Sequence, residues 1–146
     1  MVLNTRHTGI VVKDIKRAIA FYEGLGMKLK AESIEVGSYI DQLVGLQDTR
    51  LEWAKLILPD MSLIELLQYH SHPYGNDKVL LQQEANRLGC SHIAFTVDNV
   101  SETIRYILEN GGGIKGDYQI SPDGNVKVLY CYDMEGNILE IVEELK

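Results

Sequence analysis

Residues 6 to 13 alternate and are β-branched at Ile10, Val11 and Val12, the pattern of a half-buried strand. Asp14 follows where a helix N-cap belongs. Ile15, Ala18, Ile19 and Tyr22 then recur at i, i+3, i+4 and i+7, which predicts a helix with its stop near Gly24 or Gly26. Met27 to Val36, Leu51 to Leu58 and Ser62 to His70 read as three further strands. The first half is strand-helix-strand-strand-strand.

The second half repeats that order. A slide of 85 positions lays His7-Thr8-Gly9-Ile10-Val11-Val12 on His92-Ile93-Ala94-Phe95-Thr96-Val97, Ile15 on Val100, Ile19 on Ile104, Phe21 on Tyr106 and Gly26 on Gly111. A strand over Ser91 to Val97 leads to a helix over Val100 to Glu109. Asn99 and Glu102 resemble a capping box there, and Gly111, Gly112 and Gly113 end the helix. Strands near Ile114 to Ile120, Val126 to Tyr132 and Ile138 to Glu143 follow, separated by turn-rich Pro122 to Asn125 and Asp133 to Asn137. The expected fold is α+β: one domain over residues 1–146, with βαβββ modules at 1–70 and 91–146, a connector at 71–90, and curved mixed sheets around a cavity.

Two differences separate the copies. His7 and Glu65 are 58 positions apart, whereas His92 and Glu140 are 48 apart, so the first copy carries about ten extra residues, placed around Gly37 to Gly45. The connector has Leu81, Glu84 and Leu88 at helical spacing, which predicts a short helix over Val79 to Leu88. Both insertions fall where loops would border a cavity, so both are candidates for shaping substrate choice.

Composition narrows the function classes. A chain of 146 residues can bury roughly two thirds of its unfolded surface in one domain. The net charge of -7 is spread along it with no lysine or arginine cluster, which argues against nucleic acid and anionic membrane as partners. Neither a signal peptide nor an apolar run of membrane-spanning length is visible, so a cytoplasmic protein is expected. Cys90 and Cys131 form no C-x-x-C pair; both are expected as reduced, half-buried thiols.

Chemistry concentrates in four residues. Each copy opens with a histidine, His7 or His92, and each carries one glutamate inside an apolar run, Glu65 in Leu63-Ile64-Glu65-Leu66-Leu67 and Glu140 in Ile138-Leu139-Glu140-Ile141-Val142. Strand alternation puts Glu65 with Leu63 and Leu67, and Glu140 with Ile138 and Val142. A carboxylate on such a face is costly unless it is paired, protonated or metal-bound. The same alternation sets small Gly9 beside His7 and small Ala94 and Thr96 beside His92, leaving room. A single half-buried histidine or strand glutamate is ordinarily structural, but recurrence at equivalent positions of a repeat favours function. Two imidazoles and two carboxylates suit one divalent ion, Zn, Ni, Co, Fe or Mn, with positions open to substrate.

His7 to Asp14 through Phe21-Tyr22 and Leu25-Gly26-Met27, Ile64-Glu65-Leu66, His92 to Asp98, and Asp133, Gly136, Asn137 and Glu140 together resemble the vicinal oxygen chelate superfamily. That superfamily includes glyoxalase I, methylmalonyl-CoA epimerase, extradiol dioxygenases, fosfomycin-resistance transferases and bleomycin-binding proteins. The resemblance covers nearly the whole chain and implies metal ligation by His7, Glu65, His92 and Glu140. It also implies a homodimer, with modules pairing within or across chains. Bleomycin-binding members lack the metal set, and dioxygenases lack a carboxylate where Glu65 stands, so the glyoxalase and epimerase branches fit best. The segment from Val128 to Glu140 is nearer the glyoxalase form, while the Glu65-to-His92 spacing is nearer the epimerases. No match to glutathione-binding positions is visible.

The reaction that follows is proton abstraction next to a carbonyl. A metal on the oxygens of a carbonyl or thioester substrate acidifies the neighbouring C–H and stabilises the enediolate, and Glu140 or Glu65 moves the proton as catalytic base. The expected activity is that of a metal-dependent lyase or isomerase. The rivals are a metal-dependent dioxygenase and a non-catalytic resistance protein that sequesters a small molecule.

Other polar residues read more simply. His70-Ser71-His72-Pro73 is expected as a solvated loop outside the metal set. Cys90 shares a face with His92 but is expected to pack inertly. Tyr39, Tyr69, Tyr130 and Tyr132 are candidate hydrogen-bond donors to a substrate oxygen, and Trp53 is expected in the core or at a subunit interface.

Overall fold

A computed structural model describes residues 1–73, 84–86 and 88–145, and the chain divides into two compact units, Met1–Gly75 and Asn76–Lys146. The connector helix expected over Val79 to Leu88 lies largely outside the described residues.

The first unit contains β1 (Thr8–Val11), α1 (Ile15–Gly24), β2 (Lys28–Val36), α2 (Ser38–Val44), β3 (Arg50–Ile57) and β4 (Leu63–Tyr69). Its mixed sheet runs β1-β4-β3-β2, with β1 parallel to β4 and the other pairs antiparallel. The Asp14 carboxylate caps α1 by accepting from the Arg17 N–H at 3.0 Å. Ile15, Ala18, Phe21 and Tyr22 form the buried stripe of α1, and alternate strand residues Ala54, Leu56, Ile64 and Leu66 are buried on the sheet. The opposite sheet face, with Leu63, Glu65 and Leu67, is only half-buried.

The extra residues of the first copy are not all loop, as α2 occupies seven of them. Gly37 and Gly45 flank it with φ of 93° and 74°, a backbone that glycine adopts without strain. Only Ile40 of α2 is buried, too short a signal for periodicity to register. The Asp41 carboxylate accepts from the backbone N–H groups of Thr49 at 2.8 Å and Asp48 at 3.2 Å, tying the helix to the start of β3.

The second unit repeats the plan with β5 (Ile93–Val97), α3 (Val100–Glu109), β6 (Gly113–Ile114), β7 (Gln119–Ile120), β8 (Val126–Tyr132) and β9 (Ile138–Glu144). Its sheet runs β5-β9-β8-β6, with β7 also on β8 and β5 parallel to β9. The single strand expected over Ile114 to Ile120 is two short pieces, since Gly116 and Asp117 are poor strand formers. Asn99 caps α3, accepting from the Glu102 N–H at 3.0 Å. Buried Val100 and Ile107 of α3 match buried Leu129, Cys131, Leu139 and Ile141 on the sheet. The two thiols are not alike: Cys131 is buried and Cys90 is exposed ahead of β5, a consequence of β5 beginning only at Ile93. Among the described residues no helix is long and apolar enough to cross a membrane.

Candidate metal centre

Each histidine stands one residue ahead of its strand, His7 before β1 and His92 before β5. The parallel register then sets Gly9 beside Glu65 and Ala94 beside Glu140. With side chains alternating along the strand, the histidine two residues upstream projects to the same side as its glutamate. The small residues between them leave the space that the imidazoles occupy.

The outcome is the same contact twice. His7 Nε2 lies 2.9 Å from Glu65 Oε2, and His92 Nε2 lies 3.0 Å from Glu140 Oε2. Both glutamates are largely withdrawn from water, with 14% and 25% of their side chains exposed, and both histidines are about half-buried. The structure thus brings the four residues together as two pairs, one in each unit. Among the described residues no group of three or more His, Cys, Asp or Glu side chains is placed to hold a metal.

Each pair suits half of a metal shell. Nitrogen and oxygen donors bind such ions at about 2.0–2.2 Å, so two donors at a right angle stand about 3 Å apart. The observed separations match that spacing. Second contacts of the rings differ. His92 Nδ1 is 2.8 Å from Ser91 Oγ, a partner that holds the ring orientation. His7 Nδ1 is buried with no hydrogen-bond partner.

Two neighbours of the glutamates were not singled out as metal-site neighbours from the sequence. Opposite Glu65 on β3 stands Lys55, and opposite Glu140 on β8 stands Tyr130, the same register in both units. Lys55 Nζ is 3.4 Å from Glu65 Oε1 and 4.7 Å from the centre of the Trp53 ring, and the Trp53 indole N–H donates to Glu35 Oε1 at 3.2 Å. Tyr130 packs its ring 4.9 Å from that of His92, with its hydroxyl 3.5 Å from Nε2. No signal along the chain pairs them, since the register that sets each opposite its glutamate exists only once β3 joins β4 and β8 joins β9.

The remaining candidates lie elsewhere. His70 Nε2 is 2.7 Å from Glu52 Oε2, and Ser71 Oγ is 2.8 Å from His72 Nδ1 while accepting from the Arg50 N–H, so this segment braces the ends of β3 and β4. Cys90 Sγ donates to the His92 carbonyl at 3.7 Å. Tyr132 accepts from Lys115 Nζ at 3.0 Å, Tyr39 is exposed and Tyr69 half-buried. Trp53 is half-buried on β3 rather than in the core.

Residues 5–141 match the Glyoxalase/Bleomycin resistance protein/Dioxygenase superfamily. A lactoylglutathione lyase of Escherichia coli O157:H7 is 30% identical over 141 residues, covering 94% of this chain and 90% of the relative. One from Salmonella typhimurium is 29% identical over 143 residues. The crystal structure of a glyoxalase family protein from Bacillus cereus has a TM-score of 0.87 at 26% identity and covers 100% of this chain and 97% of its own. The fosfomycin resistance protein FosX of Listeria monocytogenes, complexed with Mn(II) and sulfate, shares the fold, with a TM-score of 0.62 at 18% identity over 98% of this chain and 93% of its own. The chain therefore belongs to the Glyoxalase/Bleomycin resistance protein/Dioxygenase superfamily.

Proposed function

We propose that the protein is a divalent-metal-dependent lyase or isomerase of the glyoxalase type, in which His7, Glu65, His92 and Glu140 hold one ion. The observation that carries this reading is the repeated Nε2-to-Oε2 contact of a histidine and a glutamate, at 2.9 and 3.0 Å, at equivalent positions of two modules. Bound there, the ion would polarise the carbonyl of a bound substrate.

The chain's own residues supply the rest. A strand glutamate, Glu140 or Glu65, takes the proton from the carbon next to the carbonyl and returns it to the neighbouring position. Tyr130, with its hydroxyl beside His92, is a hydrogen-bond donor to a substrate oxygen. The substrate class is a carbonyl compound or thioester, and the working form is a homodimer. Similarity to lactoylglutathione lyases favours the lyase reading over dioxygenation and over simple sequestration.

The test is proton exchange in heavy water. Metal-loaded protein should exchange the proton next to the carbonyl of a methylglyoxal-thiol adduct or an acyl-CoA thioester. Changing the base, Glu140→Gln or Glu65→Gln, should slow exchange by about 10²-fold or more. Oxygen uptake with a catechol and no proton exchange would replace the reading with dioxygenation.

A further inference from the structure

The two halves of the proposed site differ in charge, and the difference lies at one register position. Where the second module has neutral Tyr130 facing Glu140, the first has Lys55 facing Glu65. Lys55 touches Oε1 of that carboxylate while His7 touches Oε2, so the two contacts use different oxygens. The ammonium is held on this face by the Trp53 ring, which Glu35 in turn fixes through the indole N–H. Its side chain is 29% exposed, so the charge is only partly hydrated.

Charge counting gives this placement a consequence. Two glutamates neutralise a divalent ion, and neutral imidazoles add nothing, so the four ligands alone make a neutral site suited to an uncharged carbonyl. Lys55 adds one positive charge. Without the ion, Glu65 cancels it; with the ion drawing on Glu65, that compensation is shared and one positive charge remains uncompensated beside the ligands. A single carboxylate on the substrate supplies the missing charge.

We infer that Lys55 is a specificity-determining residue, which selects substrates bearing a carboxylate beyond the oxygens taken by the ion. The inference rests on the metal reading proposed above and goes further by naming the charge of the substrate. Lys55 here acts by direct contact with that carboxylate, and the Trp53 ring beneath it aligns the ammonium.

The experiment uses the full chain loaded with Mn(II), titrated with 4,5-dioxohexanoate and with 2,3-hexanedione, whose chelating dicarbonyl end is uncharged. These share one chelating end and differ in the distal carboxylate. Binding is read by calorimetry and by the fluorescence of Trp53, the single tryptophan, and Mn(II) occupancy by electron paramagnetic resonance. The parent should prefer 4,5-dioxohexanoate by about five- to tenfold, the range of one charge-assisted contact in a partly exposed place. Lys55→Met should bring that ratio to about one, and Lys55→Arg should keep most of it. Lys55→Gln provides a second neutral variant should Lys55→Met not fold. Mn(II) binding with the same preference in parent and neutral variant overturns the Lys55 inference alone. Failure of the parent to bind Mn(II) overturns the metal reading as well.

Discussion

Cys131 sits on the helix-facing side of β8, fully buried, and burial, reinforced by the Asp133 carboxylate nearby, pushes its thiol up to about 12. In the unfolded chain the same thiol titrates near its ordinary value of about 8.5. The folded value is the raised one, so the contribution to stability is full below the unfolded value and is lost as pH rises toward 12. The slope is about 1.4 kcal/mol per pH unit within that window. Urea midpoints from pH 8 to 11 should therefore fall faster in the parent than in Cys131→Ala, and equal slopes would refute this account. A thiol reagent at pH 8 should label exposed Cys90 in the folded protein and reach Cys131 only after unfolding.

The helices α1 and α3 are each tied to the last strand of their module by a side chain three residues beyond the proposed ligand. Gln68 Oε1 accepts from the Ile15 N–H at 2.9 Å, and Glu143 Oε2 accepts from the Val100 N–H at 2.8 Å. Each contact satisfies a donor that the first turn of a helix leaves open. Gln68→Ala and Glu143→Ala should each cost about 1 kcal/mol in urea unfolding, with Glu143→Gln losing less. Gly112 is the tighter element junction. A Cβ there would run into the Tyr132 carbonyl oxygen and come within 2.6 Å of Ile107 Cγ2. Gly112→Ala should cost about 2–3 kcal/mol, and a Tm equal to the parent's would contradict the packing described. Periodicity sufficed for α1, α3, β3, β4, β8 and β9, because each buries a stripe or row, whereas β2 is an almost wholly exposed strand. It failed at α2, which buries one residue, and between Ile114 and Ile120, where Gly116 and Asp117 interrupt a row too short to show alternation.

For the whole chain, duplication made His7, Glu65, His92 and Glu140 legible, since a residue kept in place across two modules stands out against ordinary strand composition. Lys55 and Tyr130 were not legible as counterparts, because they differ in type and share only a cross-strand register, which pairing of β3 with β4 and β8 with β9 creates. The same duplication sets the last prediction. Each module offers two donors, too few for firm binding alone, so the proposed ion needs one half-site from each kind of module. His7→Ala and His92→Ala should each abolish Mn(II) binding and the stabilisation that the ion brings, about 2.7 kcal/mol at a hundredfold excess over Kd. In the proposed homodimer with halves paired across chains, an equimolar mixture of the two variants, unfolded and refolded together, regains one intact site per mixed dimer. About a quarter of the parent's sites should then return, because half of the dimers are mixed and each mixed dimer has one good site of two. No recovery would place both halves within one chain, and binding by either single variant at the parent's affinity would remove its histidine from the ligand set.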